Sequence, residues 1–228
     1  MKKNNAAILL FSRTASAEAV AKPLAFGKRS AESVASVLVN RSKKLAYKTG
    51  LPVFFFSEKQ QRGATFGERF ANAFEDVYAL GFDNVVAMGN DCLTVSTADI
   101  LAAADALQTT PSVLGATNDG GAYLIGLQKG VFQKEAFQNI HWQTAVVFDE
   151  LMAFTAENSE KTIFLSQKSD IDRVSDWKKT LAVIPLSFKK ILSQLLFFLN
   201  PLPSPKWTSS INEAFLQSVL ALRAPPAL

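Results

Sequence analysis

The stretch FDNVVAMGNDCLTVSTADIL, residues 82–101, sets the fold class. NVVAMG (84–89) is an apolar run with no alternation. Such a run reads as a strand covered on both faces, as in a parallel sheet. Two residues past its end stands an acid, Asp91. Ser96 or Thr97 then caps a helix over 96–107, with Asp99 in the first turn, where the helix dipole favours negative charge.

The same grammar repeats outward. AAILLF (6–11), LPVFFF (51–56), SVLGAT (112–117), GAYLIGL (121–127) and KTIFLS (161–166) read as strands. Helices are predicted over 30–50, closed by Gly50, over 65–80, where Phe66, Phe70, Phe74 and Val77 recur at helical spacing, over 143–156 and over 172–181. Strand-helix alternation predicts an α/β fold in three layers, α/β/α, with a mainly parallel central sheet. The turn Asn118-Asp119-Gly120 divides two of the strands. It is a hairpin turn if those strands pair, and a ligand loop if they do not.

The chain has 228 residues, 48% of them hydrophobic, which suits one core. Residues 1–182 read as one domain and 183–228 as a helical extension. In the extension, FKKILSQLLFFLN (188–200) is an apolar helix, NPLPSP breaks the chain, and 210–222 can form a last helix. This tail is open to three roles: packing on the core, a homodimer contact, or a peripheral membrane contact. MKKNNAAILLF has too short an apolar run for a signal peptide, and no run reaches the ~18 residues of a membrane span. The single Cys, Cys92, excludes a disulfide within the chain and fits a reducing, cytoplasmic setting.

The net charge of +4 is uneven: +9 over residues 1–62, −7 over 63–127 and +2 over 128–228. A basic third beside an acidic middle suits an anion next to a metal ion, or solvated helix faces. The basic residues are scattered and lack interleaved aromatics, which argues against a nucleic-acid partner. In open α/β sheets ligands bind beyond the carboxyl ends of the strands, where Asp91 stands. Two acids there, Asp91 and Asp119, suit a divalent ion held against a diphosphate; capping of turns is the plainer alternative.

The segments GNDC, NDGGAYLIGL and HWQTAVVFDEL, with QRGATFGERFANAF (61–74) and DIDRVSDW (170–177), resemble the motifs of a bacterial glycosyltransferase-like family, the radical-SAM and selenodomain-associated transferase type. The resemblance spans residues 6 to 182 and implies the GT-A, nucleotide-diphospho-sugar transferase-like fold. It implies a divalent metal, Mg or Mn, on Asp91, with Asp119 as second ligand or as base. Gly120 and Gly121 would allow close approach, and Trp142 and Thr144 would line the acceptor side. Gly67, Glu68 and Arg69 would support the nucleotide side. The family's first phosphate-binding segment is altered here: in FSRTASAEAVAKPL (11–24) its Gly is Glu18 and its Lys-Thr-Arg is Ala21-Lys22-Pro23. Arg13 and Lys22 are left to face phosphate. The implied activity is metal-dependent transfer from a nucleotide sugar to an unknown acceptor. The alternatives are a nucleotidylyltransferase on the same fold and a non-catalytic relative acting as a binding module. Plain readings stand beside these roles: Glu68-Arg69 as a helix-surface pair, Trp142 as a core residue, and Asp170 and Asp172, which could add to a metal cluster, as caps of the helix that follows.

Overall fold

The computed structural model describes residues 5–22, 28–158 and 161–171. Six strands form one sheet in the order β2-β1-β3-β5-β4-β6, with β1 Ala6–Phe11, β2 Val53–Phe56, β3 Asn84–Met88, β4 Ser112–Thr117, β5 Ala122–Gln128 and β6 Thr162–Lys168. Every pairing is parallel except those of β5, which runs against both β3 and β4.

The sheet is covered on both faces because its strands are apolar on both. Ala7 and Leu9 of β1, with Val85 and Ala87 of β3, face α3 (Phe66–Ala79), α5 (Lys134–Gln138) and α6 (Val147–Asn158). Ala6, Ile8 and Leu10, with Val86 and Met88, face α2 (Lys28–Lys48) and α4 (Thr97–Ala106). Residues of alternating parity thus feed two separate cores, as the two-residue period of a strand requires. The first core is dense in aromatic rings. Phe70 contacts Phe11, Phe66, Phe74, Phe137 and Trp142 at centroid distances of 4.6–5.7 Å. Helix starts follow local chemistry: Thr65 with Glu68, and Ser96 with Asp99, form reciprocal capping boxes.

Three differences from the sequence reading have physical causes, and one alternative left open there is decided. Residues 15–21 form a short helix, α1 (Ala15–Ala21), inside the segment expected to be a phosphate loop. ASAEAVA contains good helix formers and no Gly, so nothing there holds an open loop. The helix expected from residue 143 begins at Val147, since Thr144 closes a turn onto His141. The five-residue α5 was not foreseen; it is too short to show a period. Strands β4 and β5 do pair directly, so Asn118-Asp119-Gly120 is the loop of a β-hairpin. The Thr117 N–H donates to the Gly121 carbonyl at 2.9 Å, and Gly120 takes φ +89°. The helix expected over 172–181, the domain border at 182 and the tail lie outside the described residues.

Candidate functional site

After β1 the chain crosses to β2 on one side and later returns to β3 on the other. The carboxyl ends of β1 and β3 therefore flank a topological switch point, where open α/β sheets leave a crevice. A cleft of about 820 Å³ lies there. Ser12 and Arg13 follow β1 into it, Gly89, Asn90 and Asp91 follow β3, and Asp119 and Gly121 reach it from the β4–β5 hairpin. Phe11, Phe66, Phe70 and Trp142 supply an aromatic wall, and Gln143 and Thr144 join it from the turn before α6.

The loop that carries Asp91 is tied down from two directions. Arg41 of α2 donates through Nη2 to the carbonyls of Leu93 and Val95, at 2.6 and 2.8 Å. The Ile171 N–H donates to the Asp91 carbonyl at 3.2 Å. Cys92 is buried beside these contacts, and burial pushes its thiol up to about 12, which suits packing rather than nucleophilic chemistry.

Charges cluster at the mouth of α1. Lys22 Nζ lies 2.8 Å from Asp91 Oδ2, and Arg13 Nη1 lies 3.5 Å from Glu18 Oε2. Burial acts to raise the Asp91 carboxyl. The adjacent Lys22 ammonium and backbone N–H donors outweigh it and hold the group below the ordinary carboxylate range. Glu18 goes the other way. It is 2% exposed, and burial, aided by the Asp91 charge, keeps its carboxyl above the ordinary value despite Lys22 and Arg13. Glu58 receives both the N–H and the hydroxyl of Thr14 at 2.7 Å, which pins the start of α1 to the segment after β2.

Of the residues singled out in the sequence, Arg13, Lys22, Arg69, Asp91, Asp119, Gly121, Trp142, Thr144 and Asp170 line this one cleft. Gly67, Glu68 and Gly120 do not. A Cβ on Gly67 would lie 2.0 Å from the Gln138 carbonyl oxygen, so this Gly lets α3 approach the chain before Trp142. Glu68 spends its carboxylate on the N–H groups of Ala64 and Thr65. Gly120 combines its positive φ with a close approach to the Ala145 backbone. Arg69 donates to the Ala64 carbonyl at 2.9 Å, Trp142 Nε1 to the Phe137 carbonyl at 3.0 Å, and Thr144 to the His141 carbonyl at 2.6 Å. These three line the wall while holding its backbone in place.

Three cleft residues were missed. Asn90 is 6% exposed, and its Nδ2 is buried without a hydrogen-bond partner among the described residues. Gln143 holds φ at +65°, in the left-handed region, on the cleft rim. Glu58 has no motif around it. A polar residue beside an acid at a strand end was the one available signal, and it pointed to Asn90.

Among the described residues, five acids and three cations line the cleft: Glu18, Glu58, Asp91, Asp119 and Asp170 against Arg13, Lys22 and Arg69. No group of three His, Cys, Asp or Glu side chains there could hold a metal by itself. Asp91 and Asp119 line the cleft with carboxylates, the ligand type a hard divalent ion takes. Both offer oxygen, Asp91 already holds one cation in Lys22, and an ion of the Mg type is commonly bound by one or two carboxylates completed by ligand phosphates.

This mostly parallel sheet with its cleft at the β1–β3 switch point is a fold shared with nucleotide-diphospho-sugar transferases. In that class the chain is similar to a protein of Desulfovibrio desulfuricans G20 described as a nucleotide-diphospho-sugar transferase. The TM-score is 0.70 and the identity 18%, over 87% of this chain and 99% of that one. More distant structures include 4-diphosphocytidyl-2C-methyl-D-erythritol synthase of Anaerococcus prevotii DSM 20548, with TM-score 0.44, 12% identity and coverage of 86% and 100%. Another is glucosyl-3-phosphoglycerate synthase of Mycobacterium tuberculosis, with TM-score 0.40, 11% identity and coverage of 88% and 81%. The chain belongs to DUF2064, a family described as uncharacterized protein conserved in bacteria, which matches residues 28–144. No curated protein matches the sequence. No helix among the described residues is long and apolar enough to cross a membrane.

Proposed function

We propose that this chain transfers a group, most simply a glycosyl group, from a nucleotide-activated donor, with a divalent ion held by Asp91 and Asp119. The observation that carries the reading is the convergence of Asp91, Asp119, Arg13 and Lys22 on one cleft at the switch point. A lining with more acids than cations does not draw in a diphosphate by itself. The ion would neutralise the leaving diphosphate. Arg13 and Lys22 bind its oxygens from the α1 side. Asp119 accepts from the Thr117 hydroxyl and the Gly121 N–H through Oδ1; a carboxylate fixed in this way can hold the ion and orient an acceptor hydroxyl beside it. Trp142 offers a flat apolar face for a sugar or base.

A nucleotidylyltransferase is disfavoured by one feature: residues 11–22, from the end of β1 through α1, contain no Gly to cradle a triphosphate. The test is thermal stability against nucleoside mono-, di- and triphosphates and nucleotide sugars, with and without Mn²⁺. A ligand at 100 times its dissociation constant adds about 2.7 kcal/mol. The reading predicts a Mn²⁺-dependent shift with a nucleoside diphosphate or its sugar, lost in Asp91→Ala. Preference for a triphosphate with pyrophosphate release would assign a nucleotidylyltransferase. A folded sample that responds to no nucleotide would be a non-catalytic relative.

A further inference from the structure

Lys22 stands at the C-terminal end of α1, and its Nζ lies 2.8 Å from Oδ2 of Asp91. The two side chains are 22% and 28% exposed, so the pair sits at the cleft wall, neither sealed in the core nor fully solvated. The oxygen it occupies belongs to the carboxylate best placed, beyond β3, to receive a divalent ion. An ammonium and a divalent cation cannot share that oxygen cheaply, because like charges a few ångströms apart repel.

We infer that the Lys22 ammonium is the resident counter-cation of Asp91, competes with a divalent ion for that carboxylate, and passes to the ligand's diphosphate when the ion enters. This deepens the transferase reading and rests on it. A lysine suits the exchange: its charge is a point on a four-carbon stem and can change partners without moving the backbone. Arg13 pairs with the buried Glu18, which feels the charge of both cations, whereas Lys22 pairs with Asp91. Metal and diphosphate then bind cooperatively. The ion alone must displace Lys22, and the diphosphate alone must draw Lys22 off Asp91 without replacement. By linkage, each ligand strengthens the other by the same factor.

The inference predicts opposite effects on the two ligands from one substitution, which a purely structural lysine would not produce. Mn²⁺ is titrated into the full chain without nucleotide, and free hydrated Mn²⁺ is read by electron paramagnetic resonance. Lys22→Met should bind Mn²⁺ about tenfold more tightly than the parent, since the competing charge is gone. Lys22→Arg, which keeps the charge, should stay near the parent. At saturating Mn²⁺, Lys22→Met should bind UDP, ADP, GDP or CDP more weakly than the parent. Melting curves establish that each variant is folded, and Lys22→Gln replaces the Met variant if that one is not. Unchanged or weaker Mn²⁺ binding by the neutral variant, with Mn²⁺-dependent diphosphate binding intact in the parent, overturns the competition and leaves the transferase reading standing. A parent that binds none of the four diphosphates at any Mn²⁺ concentration overturns both.

Discussion

Arg13 points Nη1 at Oε2 of Glu18 across 3.5 Å, and Glu18 is buried to 2% exposure at the edge of a cleft that also holds Asp91. The contact spends a cation that the cleft needs for an anionic ligand. Glu18→Gln should therefore strengthen binding of a nucleoside diphosphate, measured by calorimetry in Mn²⁺. Stability should change with a defined sign. Burial raises the folded-state carboxyl above its ordinary value, so between the ordinary and the raised value the folded protein binds a proton more readily than the unfolded chain. Stability from this group is full below the ordinary Glu range and is lost as pH rises through the raised folded value. In metal-free buffer, Glu18→Gln should melt higher than the parent at pH 7, and the gap should close as pH falls toward 4.5.

Arg41 reaches from α2 to two carbonyls of the loop that carries Asp91. Hydrogen bonds from a charged donor contribute about 1.5–3 kcal/mol each, and truncation leaves both acceptors unpaired. Arg41→Met should cost about 2–4 kcal/mol by denaturant unfolding. It should also weaken Mn²⁺-dependent nucleotide binding, although Arg41 does not line the cleft. Unchanged nucleotide affinity in the folded variant would show that the loop holds Asp91 in place without it.

Gly67 of the QRGATFGER segment sits at a close packing contact behind the cleft wall. A Cβ there meets the Gln138 carbonyl oxygen at 2.0 Å and Trp142 Cδ1 at 2.8 Å, and the first is backbone that cannot swing aside. Gly67→Ala should cost about 1–3 kcal/mol, the range of overpacking in a tight interface. Denaturant unfolding measures this cost, and loss of nucleotide affinity in the folded variant would report displacement of Trp142, whose Cδ1 the added Cβ meets.

The layers of the fold were legible because β1 and β3 are apolar on both faces and the helices between them carry helical spacing. The acids were legible because Asp91 follows NVVAM at a strand end. Strand order was not, since a strand's own residues do not say which neighbour it takes. The pairing of β4 with β5, and the switch point between β1 and β3, became visible only in the assembled sheet. Glu18 read as an extra charge in a phosphate loop, whereas it is a buried partner of Arg13 on a helix. Gly67, Glu68 and Gly120 sit in motif segments beside the cleft, but their backbone and capping roles depend on partners distant in sequence or on φ angles that a motif does not display.

Gln143 sits on the cleft rim with φ +65°, between Trp142 and Thr144. A side chain in this region costs roughly 1–2 kcal/mol relative to ordinary backbone, and a β-branched one costs more. The surrounding turn sustains the conformation: the Trp142 N–H donates to the Ile140 carbonyl at 2.7 Å, and the His141 N–H donates to Glu150 at 2.6 Å. Gln143→Val should therefore destabilise by about 1–2 kcal/mol or shift the turn. Gln143→Gly should be neutral or stabilising, because Gly adopts positive φ without strain. If the turn presents Trp142 and Thr144 to an acceptor, the Val variant should lose transfer to acceptor while keeping Mn²⁺-dependent nucleotide binding, and the Gly variant should keep both. Equal stability of the Val and Gly variants would show that the left-handed conformation at residue 143 is not held in solution.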